Sequence, residues 1–253
     1  MLQTRVIPCL LLKNESLVKT IKFKKYSYIG DPVNTVRIFN EIEVDELMFL
    51  DIFASKEDRD INFRILQDIA NECFMPLSYG GNIKSFDDAK RIFEIGFEKI
   101  VVNSNAFKNL DLIEKISSYF GGQSVIGSVD VGKNFFGQKN IYSHHGTKRQ
   151  KYDILEWVKR LQAVGVGEII VTSIEKDGTW NGYDIQMLKE VVENTNVPII
   201  ANGGCGKIED IRDAVKLAGV SACAVGSMVV YQKKGMGVLI NFPNKNILEK
   251  ILK

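Results

Sequence analysis

Three aspartates stand where apolar, strand-like runs end, and they are the residues of this chain best placed for acid–base chemistry. Asp51 and Asp130 each close such a run, and Asp177 follows the run that ends at residue 174. Burial at a strand end raises the pKa of a carboxyl group toward the range useful for general acid–base catalysis. An aspartate in this position can also cap the following helix, and for each residue alone both interpretations stay open.

Asp130 also marks an asymmetry between two related stretches. The stretch SVIGSVDVGK (124–133) aligns with RVIPCLLLK (5–13), and Leu11 stands opposite Asp130 in that alignment. One copy therefore ends in a carboxylate and the other in a leucine, which cannot transfer a proton. The alignment raises the question of whether one half of a catalytic pair has been lost.

Glycine-rich turns follow the same strand-like runs, and the backbone N–H groups of such turns can surround a phosphate group. They are Asn202-Gly203-Gly204, Gly226-Ser227 and Asp177-Gly178-Thr179 in the second half, with Thr172 nearby, and Gly80-Gly81-Asn82 and Asn103-Ser104 in the first. One Gly-Gly pair alone is usually only a tight turn. Several turns at adjacent strand ends favour a phosphate site, and we expect a weaker second one in the first half, where Asn82 replaces a glycine.

A basic stretch, KNESLVKTIKFKKYSYIGD (13–31), follows the first strand-like run, and we expect it to form a loop on the face of the glycine turns. Its lysines would ordinarily be solvated, but above an anion site such a loop can close over the substrate as a lid. His144 and His145 share a second polar segment. They have no partner at the spacing of metal ligands, so we expect loop residues and no metal site.

Short β-branched runs alternate with segments of helical period along the whole chain. The predicted strands are 5–11, 46–51, 76–80, 99–103, 124–130, 168–174, 198–202 and 222–226, and the clearest helices are 63–74, 86–96, 153–165 and 208–219. This alternation indicates parallel strands with crossover helices. Eight such units predict one α/β domain over 1–253, a closed (β/α)8 TIM barrel. The alternative, an open doubly wound sheet, usually has fewer strands.

The two halves of the chain also resemble each other. Residues 76–107 align without gaps on 198–229, and residues 45–52 align on 167–174. The period is far longer than that of solenoid repeats, so we predict homologous half-barrels at about 1–120 and 121–253. In a barrel, chemistry collects at the C-terminal ends of the strands, where the aspartates and glycine turns are expected.

The composition excludes several classes of protein. A net charge of +2 with 45% hydrophobic and 25% charged residues describes an ordinary globular protein. This charge points to no special partner, although it leaves a local basic patch open, and we expect neither nucleic acid nor a membrane as a partner. No run of 18 apolar residues is present that could span a membrane, and the N-terminus predicts a first strand and not a signal peptide. Four cysteines without a CxxC pair fit reduced thiols in the cytoplasm.

These residues together resemble the HisF family, the cyclase subunit of imidazole glycerol phosphate synthase. The resemblance covers about residues 1–230 and is strongest in LDIFAS (50–55), TSIEKDGTWNGYD (172–184) and the turn at 203–204. Members of the family are (β/α)8 barrels that receive ammonia from a HisH-like glutaminase at the N-terminal face. They bind a two-phosphate substrate at the other face. The resemblance therefore implies a heterodimer and a phosphorylated small-molecule ligand, and we expect no cofactor.

The resemblance implies three sets of functional residues in this chain: catalytic, ligand-binding and ammonia-gating residues. Asp130 matches one of the family's two catalytic aspartates, and Leu11 occupies the place of the other. Ligand or phosphate contacts fall on Lys19, Asp51, Gly81, Asn103, Ser104, Thr172, Asp177, Gly178, Asn202, Gly203, Gly204, Gly226 and Ser227. The ring of charges that gates ammonia falls on Arg5, Glu46, Lys99 and Glu168, although such residues can also be simple surface ion pairs.

Loss of one acid–base group typically costs ~10²–10⁴-fold in rate, so Leu11 should cripple ring closure. The pattern resembles a HisF-like branch associated with surface-polysaccharide genes, in which ammonia passes to a separate amidotransferase that forms an acetamidino sugar. Our first hypothesis is an ammonia-conducting barrel subunit for sugar amidination. The second is an active histidine-pathway cyclase, which converts ammonia and phosphoribulosyl-formimino-AICAR phosphate to imidazole glycerol phosphate and AICAR. The third is a non-catalytic subunit that only activates the glutaminase.

Overall fold

The strands of the computed structural model, which describes residues 4–252, confirm the predicted barrel. In chain order they are β1 (Arg5–Lys13), β2 (Ser16–Ile21), β3 (Lys25–Gly30), β4 (Leu47–Asp51), β5 (Leu77–Gly80), β6 (Lys99–Val102), β7 (Val125–Lys133), β8 (Lys139–Ser143), β9 (Lys148–Arg149), β10 (Glu168–Ser173), β11 (Ile199–Asn202) and β12 (Ala222–Val225). Eight parallel strands, β1, β4–β7 and β10–β12, close into a ring through the β12–β1 and β7–β10 pairings. Residues 1–3 and 253, at the ends of the predicted domain, lie outside the described residues.

Helices follow the barrel strands and pack on their outer face. They are α1 (Pro32–Ile42), α2 (Phe63–Glu72), α3 (Phe86–Ile95), α4 (Leu110–Phe120), α5 (Ile154–Ala163), α6 (Ile185–Glu193), α7 (Ile208–Ala218), α8 (Ser227–Val230) and α9 (Lys245–Leu252). The sequence sets their ends locally: Ser85 and Asp88 form a capping box at the start of α3, and Gly96 ends that helix with φ 117°. The four predicted helices are confirmed, each with ends within two residues.

The alternation of side chains along the barrel strands divides the core in two. Along β1, Val6, Leu10 and Leu12 pack outward against the helices, whereas Ile7, Cys9 and Leu11 point into the barrel. The interior cluster also includes Met48, Val101, Ile126, Ile170, Ile200, Ala222 and Ala224. The barrel interior is therefore a packed apolar core that separates the two ends of the molecule.

Two antiparallel hairpins extend the barrel at the C-terminal ends of its strands. The segment 13–31, expected as a loop, instead forms β2 and β3, and β2 pairs with both β3 and the end of β1. The end of β7 pairs in the same way with β8, and β8 with β9. β1 and β7 are thus nine-residue strands with similar extensions, as the half-barrel repeat would require, although common ancestry of the halves stays a prediction.

Candidate functional site

An open cavity lies at the C-terminal ends of the barrel strands, and its empty volume is about 880 Å³ when the solvent-filled mouth is included. Its mouth is bounded by both hairpins, because Phe23 between β2 and β3 and His145 between β8 and β9 line it. The predicted site residues that line it are Lys19, Asp51, Gly81, Asn103, Ser104, Asp130, Thr172, Asp177 and Asn202. The structure therefore brings together most of the residues that the sequence singled out, at the end of the barrel where chemistry was expected.

Asp130 points inward from β7 and is buried at the inner end of the cavity. Burial raises the pKa of its carboxyl group to about 7, although hydrogen bonds from Asn103 and Thr172 act in the opposite direction. The Nδ2 of Asn103 lies 2.7 Å from Oδ2 of Asp130. A carboxyl group with this pKa can give or take a proton near neutral pH.

Leu11 occupies the wall of the cavity opposite Asp130. It points inward from β1, which is separated from β7 by three strands in either direction around the barrel. Leu11 is buried and lines the cavity with the apolar side chains of Leu50 and Ile52. The structure therefore places a hydrocarbon side chain where a second carboxyl group would have to stand for acid–base chemistry across the cavity.

Asp51 is held by an arginine that sequence reasoning missed. The Nη2 of Arg59 lies 2.9 Å from both carboxylate oxygens, and the backbone N–H groups of Phe53 and Ala54 donate to Oδ1. Burial raises the pKa of Asp51, while Arg59 lowers it. Because its oxygens are already engaged, Asp51 is better suited to organising the 52–59 segment than to transferring protons.

Asp177 anchors the β2–β3 hairpin to the barrel. Its Oδ2 accepts hydrogen bonds from Thr20 Oγ1 at 2.7 Å and from the Phe23 N–H at 3.2 Å, and its backbone oxygen accepts one from Lys22. Burial raises the pKa of this carboxyl group, whereas the charge of Lys19 lowers it. The buried Lys19 ammonium donates to the backbone oxygen of Cys9 at 3.2 Å.

Five predicted phosphate-binding residues do not line the cavity: Gly178, Gly203, Gly204, Gly226 and Ser227. The hairpin covers two of them. A methyl group on Gly178 would collide with the Thr20 backbone oxygen, and one on Gly226 would collide with the Lys19 ammonium. Gly203, with φ 88°, lies against Ser173, where a methyl group would come within 2.7 Å of the backbone oxygen. In this structure β2 thus packs against Gly178 and Gly226, whereas Gly203 and Gly204 pack against Ser173 and Gly182.

The first-half turn, in contrast, is open to the cavity. Asn82 takes the left-handed backbone conformation of a glycine, with φ 49°. Its Nδ2 donates to the Arg59 backbone oxygen at 2.9 Å, and its Oδ1 accepts from Asn105. The side chain expected to obstruct an anion is therefore tied to neighbouring loops. The Oγ of Ser104 is already engaged, because it donates to Ser55 and accepts from the His144 N–H.

The four predicted gate residues form one connected ring of ion pairs at the N-terminal ends of the strands. Arg5 Nη1 lies 2.7 Å from Glu46, and Lys99 Nζ lies 2.7 Å from Glu168 and 3.4 Å from Glu46. Arg5 Nη2 also pairs with Glu168. Each cation therefore contacts both carboxylates, and the apolar barrel interior lies between this ring and the cavity.

His145 lies at the mouth of the cavity. The polar segment around it in the sequence predicted only a loop residue. Its ring stacks on Phe23 with centroids 5.0 Å apart and lies 5.2 Å from the ring of Phe53. Burial lowers the pKa of His145 to about 4, so the ring is neutral at pH 7. Within residues 4–252, no group of three or more His, Cys, Asp and Glu side chains is placed to hold a metal ion.

Comparison with known proteins places the chain in a family. The model of the histidine biosynthesis protein family matches residues 5–235. A Pseudomonas aeruginosa protein provisionally named imidazole glycerol phosphate synthase subunit hisF2 is 47% identical over 249 residues, which cover 98% of this chain and 99% of that protein. The chain belongs to the HisF family. A HisF subunit of imidazole glycerol phosphate synthase from Lactococcus lactis subsp. cremoris is 40% identical over 232 residues, 91% of this chain and 90% of its own length.

This HisF-family barrel combines a connected ring of four charges with a cavity in which Asp130 points inward from β7 and Leu11 lies opposite it. The roles assigned to individual residues stay predictions, because family membership does not test them. Among residues 4–252, no helix combines the length and the apolar composition needed to cross a membrane.

Proposed function

We propose that this chain is the ammonia-conducting barrel subunit of a glutamine amidotransferase. It receives ammonia from a HisH-like glutaminase at the ring and releases it at the cavity, for acetamidino-sugar formation in surface-polysaccharide biosynthesis in the cytoplasm. The observation that carries the proposal is Leu11 opposite Asp130, together with a complete ring of gate charges. On this proposal the barrel keeps the family's ammonia path and lacks the acid–base pair of its cyclase.

The barrel interior supports conduction of neutral ammonia. Ammonium pays a large desolvation penalty in an apolar interior, whereas neutral ammonia does not carry that charge. Between the ring and the cavity lie Ile7, Met48, Ile126 and Ile170, all fully buried. The 3.4 Å contact between Lys99 and Glu46 is the longest in the ring and is the one we expect to open first.

The names of the relatives support the proposed glutaminase partner. They are named as subunits of imidazole glycerol phosphate synthase, which favours a glutaminase on this chain too. Phe74, between α2 and β5 at the N-terminal face, is 89% exposed and offers an apolar contact for it. The second partner, a sugar amidotransferase, follows from the need for an acceptor of ammonia if the cavity does not use it.

The rival function is the histidine-pathway cyclase, and the name of the Lactococcus lactis relative favours it. A cyclase without an acid at position 11 would need a substitute near the cavity. Asp51 and Asp177 both line it, and burial raises the pKa of each. Both are already engaged, however, Asp51 by Arg59 and Asp177 by the hairpin, which makes either a poor substitute.

The first test is cyclase turnover of the purified protein with phosphoribulosyl-formimino-AICAR phosphate and excess ammonium salt, which removes the need for a glutaminase. We expect no turnover by the wild type and recovery by Leu11→Asp. Leu11→Asn is the matched control, because it is polar and of similar size but cannot transfer a proton. Wild-type turnover at the level of ordinary cyclases would overturn the proposal and return the chain to histidine synthesis.

A non-catalytic activator would pass the first test as well, so a second measurement separates it. In a mixture of this chain, the glutaminase and the sugar amidotransferase, a conducting subunit couples each glutamine hydrolysed to acetamidino product. An activator raises glutamine hydrolysis but leaves the ammonia free in solution, where an added scavenging dehydrogenase removes it. Product that disappears with the scavenger would contradict conduction.

A further inference from the structure

The net charge of +2 hides a strong separation of charge along the chain. The two hairpin segments, 13–30 and 131–152, contain ten Lys or Arg residues and one acidic residue, Glu15. The rest of the chain contains 23 Lys or Arg and 30 Asp or Glu residues, so it carries a net charge of −7 and the hairpins +9. Because both hairpins border the cavity, this excess of positive charge lies at the C-terminal end of the barrel, although Lys19 is buried and Lys22 and Lys139 pair with Glu175 and Asp184.

The same two hairpins hold large apolar side chains in solvent. Phe135 and Phe136, between β7 and β8, are 98% and 83% exposed, and Tyr28 on β3 is 67% exposed. Ile21 and Tyr26 on the other hairpin are about half exposed, at 52% and 49%. We call these five residues the hairpin surface. Large exposed apolar side chains on charged segments are a common feature of interaction sites.

The turn that carries the two phenylalanines is ordered by its own hydrogen bonds. The Oδ1 of Asn134 accepts from the N–H groups of Phe136 and Gln138, each at 3.0 Å, and Asn134 Nδ2 donates to the Gln138 side chain. Gly137, with φ 78°, completes the turn. The aromatic rings are therefore presented by a structured turn, which lowers the entropic cost of burying them in a partner.

We propose that the hairpin surface is the docking site of the enzyme that accepts the ammonia, and that the partner's matching surface is acidic around an apolar centre. This inference rests on the proposed function, because ammonia released into water is protonated and diluted unless an acceptor covers the mouth. Buried aromatic residues with a charged rim are the usual anatomy of such an interface. The lysines around the rim steer an acidic partner toward the mouth.

A second copy of this chain is a poor occupant of the same surface. Two copies of segments 13–30 and 131–152, each pair of segments with a net charge of +9, would repel one another across a symmetric interface. An acidic protein meets no such penalty. None of the five residues of the hairpin surface lines the cavity or belongs to the charge ring, so they can be changed without altering the ammonia path.

The experiment uses the purified complex of this chain with its glutaminase. The acceptor is first identified as the enzyme of the same organism that forms the acetamidino sugar from ammonium salt alone. Binding of the acceptor to the complex is measured at low and high salt, for the wild type and for Phe135→Ser/Phe136→Ser. Tyr119→Ser is the matched control, since Tyr119 is 70% exposed on α4, on the outside of the barrel.

We expect the double variant to bind the acceptor roughly tenfold more weakly or worse, as for loss of central aromatic anchors. Product per glutamine should fall with it, while the glutaminase rate and the product formed with free ammonium salt stay unchanged. Lys24→Glu/Lys25→Glu should slow association and weaken its dependence on salt. The Tyr119→Ser complex should behave as the wild type.

The outcomes separate this inference from the function on which it rests. If the wild-type complex transfers ammonia and the double variant binds and transfers equally well, the docking site is wrong and the proposed function stands. If the wild type never transfers ammonia to any acceptor, the proposed function fails. Wild-type binding that does not weaken with salt, or that requires nucleic acid, would overturn the acidic protein partner.

Discussion

At the scale of single residues, the central feature of this HisF-family barrel is Asp130, a carboxyl group whose expected counterpart is a hydrocarbon. Both inward positions follow from period-two alternation, since Ser128 and Asp130 point inward on β7 as Cys9 and Leu11 do on β1. Burial against this apolar interior shifts the pKa of Asp130 upward. The stability of the protein should therefore depend on pH through this residue.

We predict that Asp130→Asn removes part of the pH dependence of unfolding. The pKa of Asp130 rises from 3.8 in the unfolded chain to about 7 in the fold, so the folded state holds the proton more tightly. The contribution of this proton to the free energy of unfolding is fully present below pH 3.8 and is lost as the pH rises through 7. The resulting change in the free energy of unfolding is at most about 1.4 kcal/mol for each unit by which the pKa is raised.

Urea unfolding of the wild type and of Asp130→Asn across this pH range provides the measurement. Asn keeps an oxygen that can accept from Asn103, so the local hydrogen bond is retained. Contributions from Asp51 and Asp177 occur in both proteins and cancel in the difference. We expect the variant to gain stability relative to the wild type with rising pH and to level off above 7. A difference independent of pH would contradict the burial of an ionisable Asp130.

Sequence reasoning identified the residues on barrel strands and in the turns just after them, and missed those that more distant loop positions bring in. Asp130, Leu11 and Thr172 follow from strand period and strand ends. Arg59 lies eight residues beyond Asp51 in a segment of turns, and His145 reaches the mouth from another hairpin. No periodic pattern links such residues to the site, because their contacts depend on how the loops fold over the barrel.

At the scale of elements, the eight barrel strands and their helices were predictable and the hairpins were not. The barrel strands and helices have clear hydrophobic periods, and Ser85 and Asp88 mark the start of α3. The β2–β3 and β8–β9 turns begin without the usual signals. Lys22, Phe23, His144 and His145 all have positive φ, a conformation normally supplied by Asn or Gly in such turns.

Attachment of the β2–β3 hairpin to the barrel depends on a glycine, and we predict that Gly178→Ala loosens it. Gly178 has φ 67° and packs directly against the Thr20 backbone oxygen, so a methyl group adds a collision to the backbone strain. Gly235→Ala is the matched control, since Gly235 has φ 79° but no atom lies within 4 Å of the position that a Cβ would take. Backbone strain alone should cost about 1–2 kcal/mol in either variant.

Hydrogen exchange measured by mass spectrometry checks this prediction. Only Gly178→Ala should increase exchange in peptides covering residues 16–30, because only there does the methyl group push on the hairpin. We expect the collision to lower the stability of the hairpin by on the order of 1–3 kcal/mol beyond the cost of backbone strain. Equal exchange of the hairpin in both variants would mean that its contact with Gly178 contributes nothing to its position.

At the scale of the whole molecule, the barrel separates two polar ends by an apolar interior. The charge ring closes the N-terminal end, and the cavity with its basic hairpins opens the other. A two-ended arrangement of this kind suits transfer of a small neutral molecule along the barrel axis. The overall net charge of +2 conceals this polarity, because it appears only when the topology brings segments 13–30 and 131–152 to one end.

The ring is therefore the place to test conduction directly, and we predict that Lys99→Met uncouples the two ends. Loss of the ammonium leaves Glu46 and Glu168 with Arg5 alone and costs on the order of 1–3 kcal/mol of stability. The floor of the barrel then no longer closes as a balanced ring, so ammonia escapes before it reaches the cavity. Product per glutamine hydrolysed should fall severalfold in the mixture of the three proteins.

Product formed from free ammonium salt should stay at the wild-type level, because that ammonia need not pass the ring. Lys90→Met is the matched control: Lys90 pairs with Glu94 on the exposed face of α3, and its loss removes a similar charge far from the barrel floor. Folding is compared by thermal melting before the coupled assay. If Lys99→Met folds and couples as well as Lys90→Met, ammonia does not travel through the ring, and the charges are only a structural network at the base of the barrel.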